Sequence, residues 1–151
     1  MKALVVYDTQ HGNTEKIARA ILTGLKDSGL DAVAKKAEDA TEAELKAADL
    51  WVFGSPVHIG GATGTAKKAV KRAIAAGASG KKVATFDTRF ANADGRGAAE
   101  KMGETLTEAG AKAVTTPQWF VVVKTKGPLA EGEEAKAVEL GKKIAASVNG
   151  K

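Results

Sequence analysis

The sequence predicts an α/β protein in which a parallel β-sheet is covered by helices on both faces. Five short apolar or alternating segments are separated by longer stretches whose apolar residues recur at helical spacing. Parallel strands joined in this way need helical crossovers, which cover both faces of the sheet. The length of 151 residues fits one domain, residues 1–151, with a core large enough to fold alone.

The predicted strands differ in apolar content. The segment 31–35 alternates only weakly and is predicted at an edge of the sheet, whereas the most apolar strands are central. A further extended piece, 112–116, is broken by Pro117. Trp51 and Trp119 lie inside strands and are predicted to be core residues. The five strands are predicted at 3–7, 31–35, 50–53, 82–87 and 119–123.

Helix boundaries follow from capping and stop signals. The first helix is predicted to begin near Asn13 or Thr14, because the apolar residues after this point recur at helical spacing. Thr41 and Glu44 have the spacing of a capping box ahead of a short second helix. Three later helices are predicted to end at Gly77, at Gly110 and in the C-terminal tail.

Composition excludes several function classes. The chain has no cysteine, which removes disulfides, thiolate metal sites and thiol nucleophiles, and fits a reducing, cytoplasmic compartment. The first apolar run stops at Asp8, too early for a secretory signal, and no stretch is long enough to insert into a membrane. His11 and His58 are the only histidines, and too few carboxylates accompany them for a metal site to be expected.

The formal net charge of +5 has two explanations. The simpler one, which we favour, is solubility from lysines on helix faces. The functional one is an acidic partner protein attracted over a long range. Nucleic acid is not expected as a partner, because the lysine pairs are scattered and have no interleaved aromatic residues. These pairs are Lys35-Lys36, Lys67-Lys68, Lys81-Lys82 and Lys142-Lys143.

The loop between the first strand and the first helix has the features of an anion site. Free backbone N–H groups of the loop and of the first helical turn point at one spot, where the helix dipole favours negative charge. Thr9, Asn13 and Thr14 add side-chain donors, and Gly12 lets the backbone turn sharply. The loop is neither a Walker A motif nor Gly-x-Gly-x-x-Gly, which leaves a cradle for a single phosphate. An ordinary turn capped by Asn13 or Thr14 remains an equal alternative.

The six residues from Thr9 to Thr14, Thr-Gln-His-Gly-Asn-Thr, resemble the phosphate loop of flavodoxins, Ser/Thr-x-Thr-Gly-x-Thr. His11 stands where the family has a threonine. In flavodoxins this loop holds the phosphate of flavin mononucleotide (FMN), so the resemblance implies FMN as the cofactor. It also implies a flavodoxin-like sheet of five parallel strands in the order 2-1-3-4-5, which agrees with 31–35 at an edge.

Two later loops extend the resemblance. Gly54-Ser55-Pro56 before a glycine-bearing turn is similar to the second flavin loop of the family, and Asp87-Thr88-Arg89-Phe90 before Gly95 is similar to the third. Loops 8–14, 54–64 and 87–95 would then meet where the strand order reverses, which is where such sheets bind ligands. The predicted FMN-binding residues are Thr9, Gln10, His11, Gly12, Asn13, Thr14, Ser55, Pro56, Val57, His58, Ile59, Gly60, Asp87, Thr88, Arg89, Phe90, Asn92 and Gly95; no catalytic residue is predicted.

One departure from the family concerns the flavin ring. Flavodoxins usually hold the ring between a Trp of the second loop and a Tyr of the third, whereas this chain has His58-Ile59 and Phe90. Stacking of an aromatic pair contributes about 0.5–1.5 kcal/mol beyond burial, so weaker FMN binding is expected. Arg89 near the ring is expected to stabilise the reduced anion and to make the reduction potential less negative than that of an acidic flavodoxin. Gly60-Gly61 provides either a peptide flip beside the flavin or a flexible turn.

The predicted function is that of a flavodoxin-type electron carrier, which exchanges electrons between redox partner proteins. Two alternatives stay open: an FMN-dependent NAD(P)H:quinone-type reductase, for which no catalytic acid or base stands out, and a flavodoxin-like module that has lost its cofactor and acts as a binding surface. A phosphoacceptor receiver domain is not expected. The third strand ends in Gly54-Ser55, without the aspartate that accepts a phosphoryl group.

Overall fold

Strands and helices alternate along the chain, as the sequence pattern predicts. The computed structural model describes residues 1–93 and 95–149. Residue 94 of the third predicted loop and residues 150–151 of the predicted domain lie outside the described residues. The elements are β1 (Lys2–Tyr7), α1 (Asn13–Asp27), β2 (Asp31–Lys36), α2 (Glu42–Ala47), β3 (Leu50–Pro56), α3 (Gly64–Gly77), β4 (Lys82–Phe90), α4 (Ala98–Glu108), β5 (Lys112–Ala113), β6 (Gln118–Val122) and α5 (Glu133–Asn149).

The described strands form one parallel sheet in the order β2-β1-β3-β4, with β5 and β6 both beside β4. β5 pairs with the start of β4 at Lys82 and Val83, and β6 pairs with its end, from Phe86 to Phe90. The predicted fifth strand, 119–123, therefore corresponds to β6, and the further extended piece at 112–116 corresponds to β5. Pro117, which lies between them, has no N–H to give to the ladder. The predicted order 2-1-3-4-5 is confirmed, with the weakest strand, β2, at an edge.

Each face of the sheet has its own apolar core, because successive residues of a strand point to opposite sides. Val5 and Tyr7 of β1 pack in the cluster that contains residues of α1 and α5. Leu4 and Val6 pack in the cluster that contains residues of α2, α3 and α4. The helices thus form two layers around the sheet, as predicted.

Two glycines allow α1 and α5 to pack against each other at very short range. A Cβ added to Gly24 would lie 2.1 Å from the carbonyl oxygen of Val138, and one added to Gly141 would lie 2.2 Å from that of Ile21. Real Cβ contacts are never this short, so both positions require glycine. The N-terminal and C-terminal helices are consequently joined along one face of the sheet.

The structure changes three details of the predicted strands. β3 continues to Pro56, because its ladder with β4 extends to the pair of Pro56 and Thr88, and β4 continues to Phe90, because its ladder with β6 extends to the pair of Phe90 and Val122. Trp51 is buried as predicted, whereas the prediction for Trp119 is wrong: its side chain is 49% exposed. Trp119 lies in β6, at the edge of the sheet, on the face where α4 packs. Because α4 packs mainly on β3, β4 and β5, it leaves the side chain of Trp119 partly uncovered.

The capping box predicted for α2 is present, whereas α1 is not capped by Asn13 or Thr14: its N-cap is Gly12, without a side-chain hydrogen bond. The hydroxyl of Thr41 accepts the N–H of Glu44, and the Glu44 carboxylate accepts the N–H of Thr41, which completes the capping box of α2. Helix α1 begins at Asn13, one of the two predicted positions. Within residues 1–93 and 95–149, no helix combines the length and the apolar character needed to cross a membrane.

Candidate functional site

A cleft of about 350 Å³ opens at the carboxyl ends of β1, β3 and β4, where three loops meet. The strand order reverses here, because β1 is followed by α1 on one face and β3 by α3 on the other. The volume lies at the lower end of the range for small-molecule sites, roughly 300–1,000 Å³. The described residues that line the cleft are Thr9, Gln10, His11, Asn13, Thr14, Pro56, Val57, His58, Thr88, Arg89, Phe90, Ala93, Val122 and Thr125.

The phosphate loop, residues 8–14, presents backbone N–H groups that have no acceptor. Gly12 has a φ of 89°, and its own N–H donates to Oγ1 of Thr9 over 2.9 Å. The N–H groups of Asn13, Thr14 and Glu15 begin α1, and none of them has a hydrogen-bond partner in the described part of the chain. These groups and the positive end of the helix dipole suit a phosphate.

Buried contacts hold the phosphate loop in position. The hydroxyls of Thr14 and Thr88 are 2.9 Å apart, which joins α1 to β4 at the floor of the cleft. Both threonines are buried. A Cβ added to Gly127, whose φ is 103°, would lie 2.7 Å from Oδ1 of Asn13. The loop after β6 therefore packs directly on the side chain of Asn13.

Tyr7 fixes the start of α1 to the end of β1. Its buried hydroxyl donates to the Glu15 carboxylate over 2.8 Å, and Arg19 lies 3.5 Å from both the Tyr7 hydroxyl and the Glu15 carboxylate. Burial is the largest influence on the pKa of Tyr7, and burial and the Glu15 carboxylate together raise that pKa above 10.0. The phosphate loop is thus held by side chains at both of its ends.

A hydrogen-bonded network behind the cleft joins the phosphate loop to the segment after β3. Thr63 donates from Oγ1 to Oδ2 of Asp8 over 2.5 Å, and its N–H donates to Oγ of Ser55 over 3.1 Å. The Ser55 hydroxyl donates to the carbonyl oxygen of Pro56 over 2.8 Å. Ser55 is fully buried, so its side chain positions this segment instead of lining the cleft.

The ring turn, residues 58–61, lies beside the cleft, which it lines with its first residue, His58. Its ends are joined by two backbone hydrogen bonds, from His58 to Gly61 over 2.7 Å and from Gly61 to His58 over 3.1 Å. Ile59 and Gly60 have φ values of 49° and 76°, the signs found in a type I′ turn. Glycine adopts this conformation freely, whereas the β-branched Ile59 is strained by it. His58 lines the cleft, and Ile59 is 95% exposed.

Asp87, Arg89 and Glu100 form a charge cluster beside the cleft. Arg89 donates from Nε and one terminal nitrogen to the Asp87 carboxylate over 2.8 and 2.6 Å, and the same terminal nitrogen lies 2.8 Å from Oε1 of Glu100. Asp87 also accepts the N–H of Ala99 in the first turn of α4. The guanidinium lies 4.6 Å from the ring centroid of Trp119. Arg89, which was predicted to stabilise the reduced anion near the ring, is thus paired with two carboxylates.

The three groups of the charge cluster affect one another's pKa. Burial raises the pKa of Asp87 above 3.8, and its hydrogen bonds from Arg89 offset this only in part. Hydrogen bonding to Asp87 raises the pKa of Arg89 above its ordinary value, so the guanidinium stays charged. Burial of Glu100 acts to raise its pKa, but hydrogen bonds from the Gly97 N–H and from Arg89 outweigh burial and lower it below 4.5.

The structure brings most of the predicted FMN-binding residues to the cleft. Gly12 shapes the phosphate loop from behind, and Ser55 and Asp87 are buried behind the walls. The other predicted residues that do not line the cleft are Ile59 and Gly60, at the tip of the ring turn, and Asn92 and Gly95, exposed in the loop after β4. Contact of the predicted residues with FMN stays a prediction.

Sequence reasoning missed three residues that line the cleft, Ala93, Val122 and Thr125. Thr125 belongs to the loop after β6, a fourth loop at the same edge. Because all strands of a parallel sheet end at one edge, the loop after the last strand could have been included. Ala93 and Val122 carry no chemical signal that would have identified them. The described residues contain no group of three or more His, Cys, Asp or Glu side chains placed to hold a metal ion.

An open parallel sheet with a cleft where the strand order reverses, and with a helix that begins at that cleft, defines the doubly wound α/β class, whose members bind their ligands at this point of the sheet. The flavodoxin family model matches residues 5–144, and the chain belongs to the flavodoxin family. Proteins of this family bind FMN and transfer electrons.

Individual relatives agree with this assignment. The chain is similar to a flavodoxin of Aquifex aeolicus (strain VF5), with 37% identity over 60 residues; the match covers 39% of this chain and 32% of the relative, about a third of its length. A flavodoxin from the domain Archaea superposes with a TM-score of 0.84 at 24% identity, over 99% of both chains. Rubredoxin oxygen:oxidoreductase from Desulfovibrio gigas has a TM-score of 0.82 at 19% identity, over 98% of this chain and 36% of the other. The structural likeness establishes the flavodoxin-like fold.

Proposed function

We propose that this chain is an FMN-binding electron-transfer protein that carries electrons between redox partner proteins. The observation that supports the proposal is the presence, in one cleft, of unpaired helix N–H groups and apolar walls. The N–H groups of residues 13–15 suit a phosphate. Pro56, Val57 and Phe90 suit the faces of a flat ring.

The donor chemistry of the phosphate loop fits the phosphate of FMN. The phosphate dianion accepts hydrogen bonds only, and the loop offers backbone N–H groups, the hydroxyls of Thr9 and Thr14, and the imidazole of His11. Thr14 is held by Thr88 before any ligand arrives. The chain thus provides a preformed site at this end of the cleft, and preformed donors lose little entropy on binding.

The ring end of the cleft offers one aromatic face. Phe90 is 42% exposed, and it is the only Phe, Tyr or Trp side chain among the described residues that line the cleft. Pro56, Val57 and His58 form the opposing side. FMN supplies one- and two-electron chemistry when bound, and this chain supplies its position and electrostatic surroundings. With one aromatic face in place of two, we expect FMN affinity below that of a Trp/Tyr-sandwiched flavodoxin.

Charge beside the ring sets how easily the bound cofactor gains negative charge. Asp87 and Glu100 disfavour that gain, and Arg89, held between them, offsets one of the two carboxylates. We therefore expect Arg89 to keep the reduction potential less negative than the carboxylates alone would make it. This is a narrower role than that of a free cation at the ring.

The proposed partners are redox proteins with acidic surfaces. The formal net charge of +5 attracts such proteins over long range and speeds their encounter. We assign this exchange to the cytoplasm, a compartment that suits a chain without cysteine.

Titration of the protein with FMN, followed by quenching of flavin fluorescence, tests the proposal. Riboflavin, which has the same ring and no phosphate, is the matched ligand. We expect riboflavin to bind roughly a hundredfold more weakly, because two charge-assisted hydrogen bonds of about 1.5 kcal/mol each are lost. Equal affinities would remove the phosphate loop from the proposal, and no binding of either ligand would overturn it.

A second measurement separates an electron carrier from a reductase. The FMN-loaded protein is mixed with NADPH or NADH and a quinone, and oxidation of the nicotinamide is followed. We expect no turnover above that of free FMN, because an electron carrier exchanges electrons with proteins and not with a nicotinamide. Turnover that depends on the protein would favour the reductase.

A further inference from the structure

A second concave surface lies on the other side of the ring turn. This lysine groove, between α3 and α4, is lined by Ile59, Gly61, Ala62, Lys67, Val70, Lys71, Lys101, Met102 and Thr105. The ring turn therefore contributes His58 to the cleft and Ile59 to the groove. Anything seated in the groove is separated from the cleft by this one short turn.

The three lysines of the groove are not neutralised. Lys67, Lys71 and Lys101 are exposed, and the structure gives none of them an ion pair within the described residues. The nearby carboxylates of α4 are already engaged: Glu100 pairs with Arg89 and Glu104 with Arg96. Among the described residues, the groove thus presents three lysines that form no ion pair.

Lys101 connects the groove to the ring turn. Its ammonium nitrogen would lie 3.8 Å from a Cβ added to Gly60 and 4.0 Å from one added to Gly61. These are ordinary van der Waals distances, so the lysine side chain lies over the turn. The Lys101 ammonium group therefore places positive charge at the ring turn, next to the cleft.

The tip of the ring turn is apolar, exposed and strained. Ile59 is 95% exposed, and its φ of 49° is unfavourable for a β-branched residue by about 1–2 kcal/mol. The exposed Ile59 side chain buries no apolar surface that would offset this strain in the protein alone. Strained residues that the surroundings hold in place concentrate at binding sites. The groove thus combines one exposed apolar side chain, Ile59, with three surrounding lysines. Protein–protein interfaces likewise have an apolar centre and a polar rim.

We propose that the lysine groove is the docking surface for an acidic redox protein, whose carboxylates pair with Lys67, Lys71 and Lys101 while an apolar side chain contacts Ile59. This inference rests on the proposed electron-transfer function and specifies where the partner docks. Charge complementarity identifies the occupant: the net positive charge of the chain is here concentrated, unpaired, beside the cleft. No aromatic side chain lines the groove for stacking of nucleic-acid bases.

The test uses electron-transfer rates of the FMN-loaded protein with two protein probes of opposite charge. The acidic probe is a reduced plant-type [2Fe–2S] ferredoxin, which donates one electron to the bound flavin. The basic probe is ferricytochrome c, which takes one electron from the reduced protein. The groove variant carries Lys67→Glu, Lys71→Glu and Lys101→Glu. The matched control carries Lys26→Glu, Lys46→Glu and Lys112→Glu, at the opposite end of the strands, and both variants change the formal net charge from +5 to −1.

We expect the groove variant to slow reaction with ferredoxin at least about tenfold at low ionic strength and to speed reaction with cytochrome c. The control should change either rate about threefold at most. Addition of salt should remove most of the difference between the variants. Ile59→Gly, which leaves the charge unchanged, should slow the ferredoxin reaction about twofold to fivefold at any salt concentration.

Three outcomes would overturn the docking surface. Equal effects of the two triple variants would mean that net charge alone attracts the probe. An unchanged ferredoxin rate in the groove variant would remove the lysines from docking. Loss of binding to phosphatidylglycerol vesicles, with the ferredoxin rate unchanged, would assign the groove to a membrane surface. FMN titration of every variant comes first, because failure to bind FMN contradicts the proposed function, whereas normal binding with unchanged rates contradicts only the docking surface.

Discussion

The phosphate loop and the ring turn both border the cleft, and they are held in different ways. The phosphate loop is fixed by buried side chains: Thr14 bonds to Thr88, and Asn13 packs on Gly127. The ring turn is held by two hydrogen bonds between its own ends, and Ile59 at its tip is almost fully exposed. A segment with few buried contacts opens at low free energy. The phosphate loop is thus held in position before a ligand binds, whereas the ring turn is free to adjust to a ligand.

The largest effect is expected from Arg89→Gln, because the charge cluster supports the fixed part of the cleft. Removal of the guanidinium leaves Asp87 buried and unpaired, which should lower the free energy of unfolding by about 3–5 kcal/mol. The reduction potential of the FMN-loaded protein should become more negative by on the order of 50–100 mV, because the carboxylates are no longer offset. Denaturant unfolding and redox titration measure the two effects.

Arg96→Gln is the control for Arg89→Gln. Arg96 also pairs with a glutamate, Glu104, but both side chains are more than half exposed. An exposed pair contributes about 0–1 kcal/mol, so neither stability nor potential should change much. An unchanged potential in Arg89→Gln would show that the cluster does not affect the cofactor.

Thr14→Val tests the rigidity of the phosphate loop itself. The change leaves the buried Thr88 hydroxyl without its partner, which should lower the free energy of unfolding by about 1–3 kcal/mol. It also removes one donor to the phosphate, so FMN affinity should fall about tenfold or more. Thr23→Val in the same helix is the control, since that hydroxyl is exposed and bonds only to the carbonyl of Arg19. If both variants bind FMN equally, the loop does not owe its affinity to this buried contact.

Ile59→Gly tests the ring turn and should be stabilising. Relief of the left-handed conformation gains about 1–2 kcal/mol, and the added freedom of glycine in the unfolded chain removes about 0.4–1 kcal/mol of this. A net gain of about 0.5–1 kcal/mol in unfolding free energy is expected, with FMN affinity changed less than about threefold. Val33→Gly, at an exposed β-branched residue of β2 without positive φ, should instead destabilise. Destabilisation by Ile59→Gly would mean that the turn is as tightly specified as the phosphate loop.

The smallest effect concerns Tyr7, the only tyrosine of the chain. Its pKa is raised by burial and by Glu15, so above pH 10 the unfolded chain loses this proton while the folded protein keeps it. Stability should therefore fall as the pH rises from 10 through the raised pKa of Tyr7. Ultraviolet titration of tyrosinate in the FMN-free protein reports this group alone, and Glu15→Gln should move the titration to lower pH. Titration at the ordinary tyrosine pKa would show that Tyr7 does not bond to Glu15.

The fold was predictable because each element has a local signal. Strands have apolar runs, helices have periodic patterns and caps, and the weak pattern at 31–35 identified the edge strand. The sequence was less informative about how far the strands extend, since continuation of β4 to Phe90 depends on its ladders with β3 and β6. The exposure of Trp119 could not be predicted either, because it depends on which strands α4 covers.

The candidate site was predictable where it depends on the chain near a strand end. The phosphate loop was found from its spacing, because a helix start must leave N–H groups unpaired. The charge cluster was not found, because Asp87 and Arg89 meet Glu100 only when α4 packs beside β4. The lysine groove was missed for the same reason: Lys101 reaches the ring turn from a separate helix.

The close packing of α1 on α5 has a consequence during synthesis of the protein. The helix that begins at the phosphate loop rests, through Gly24 and Gly141, on the helix that the ribosome makes last among those described here. Until α5 has emerged from the ribosome, α1 lacks the helix on which it packs. During translation, the binding site at the start of α1 is therefore not fully formed. FMN loading is then expected only after α5 has emerged and packed on α1.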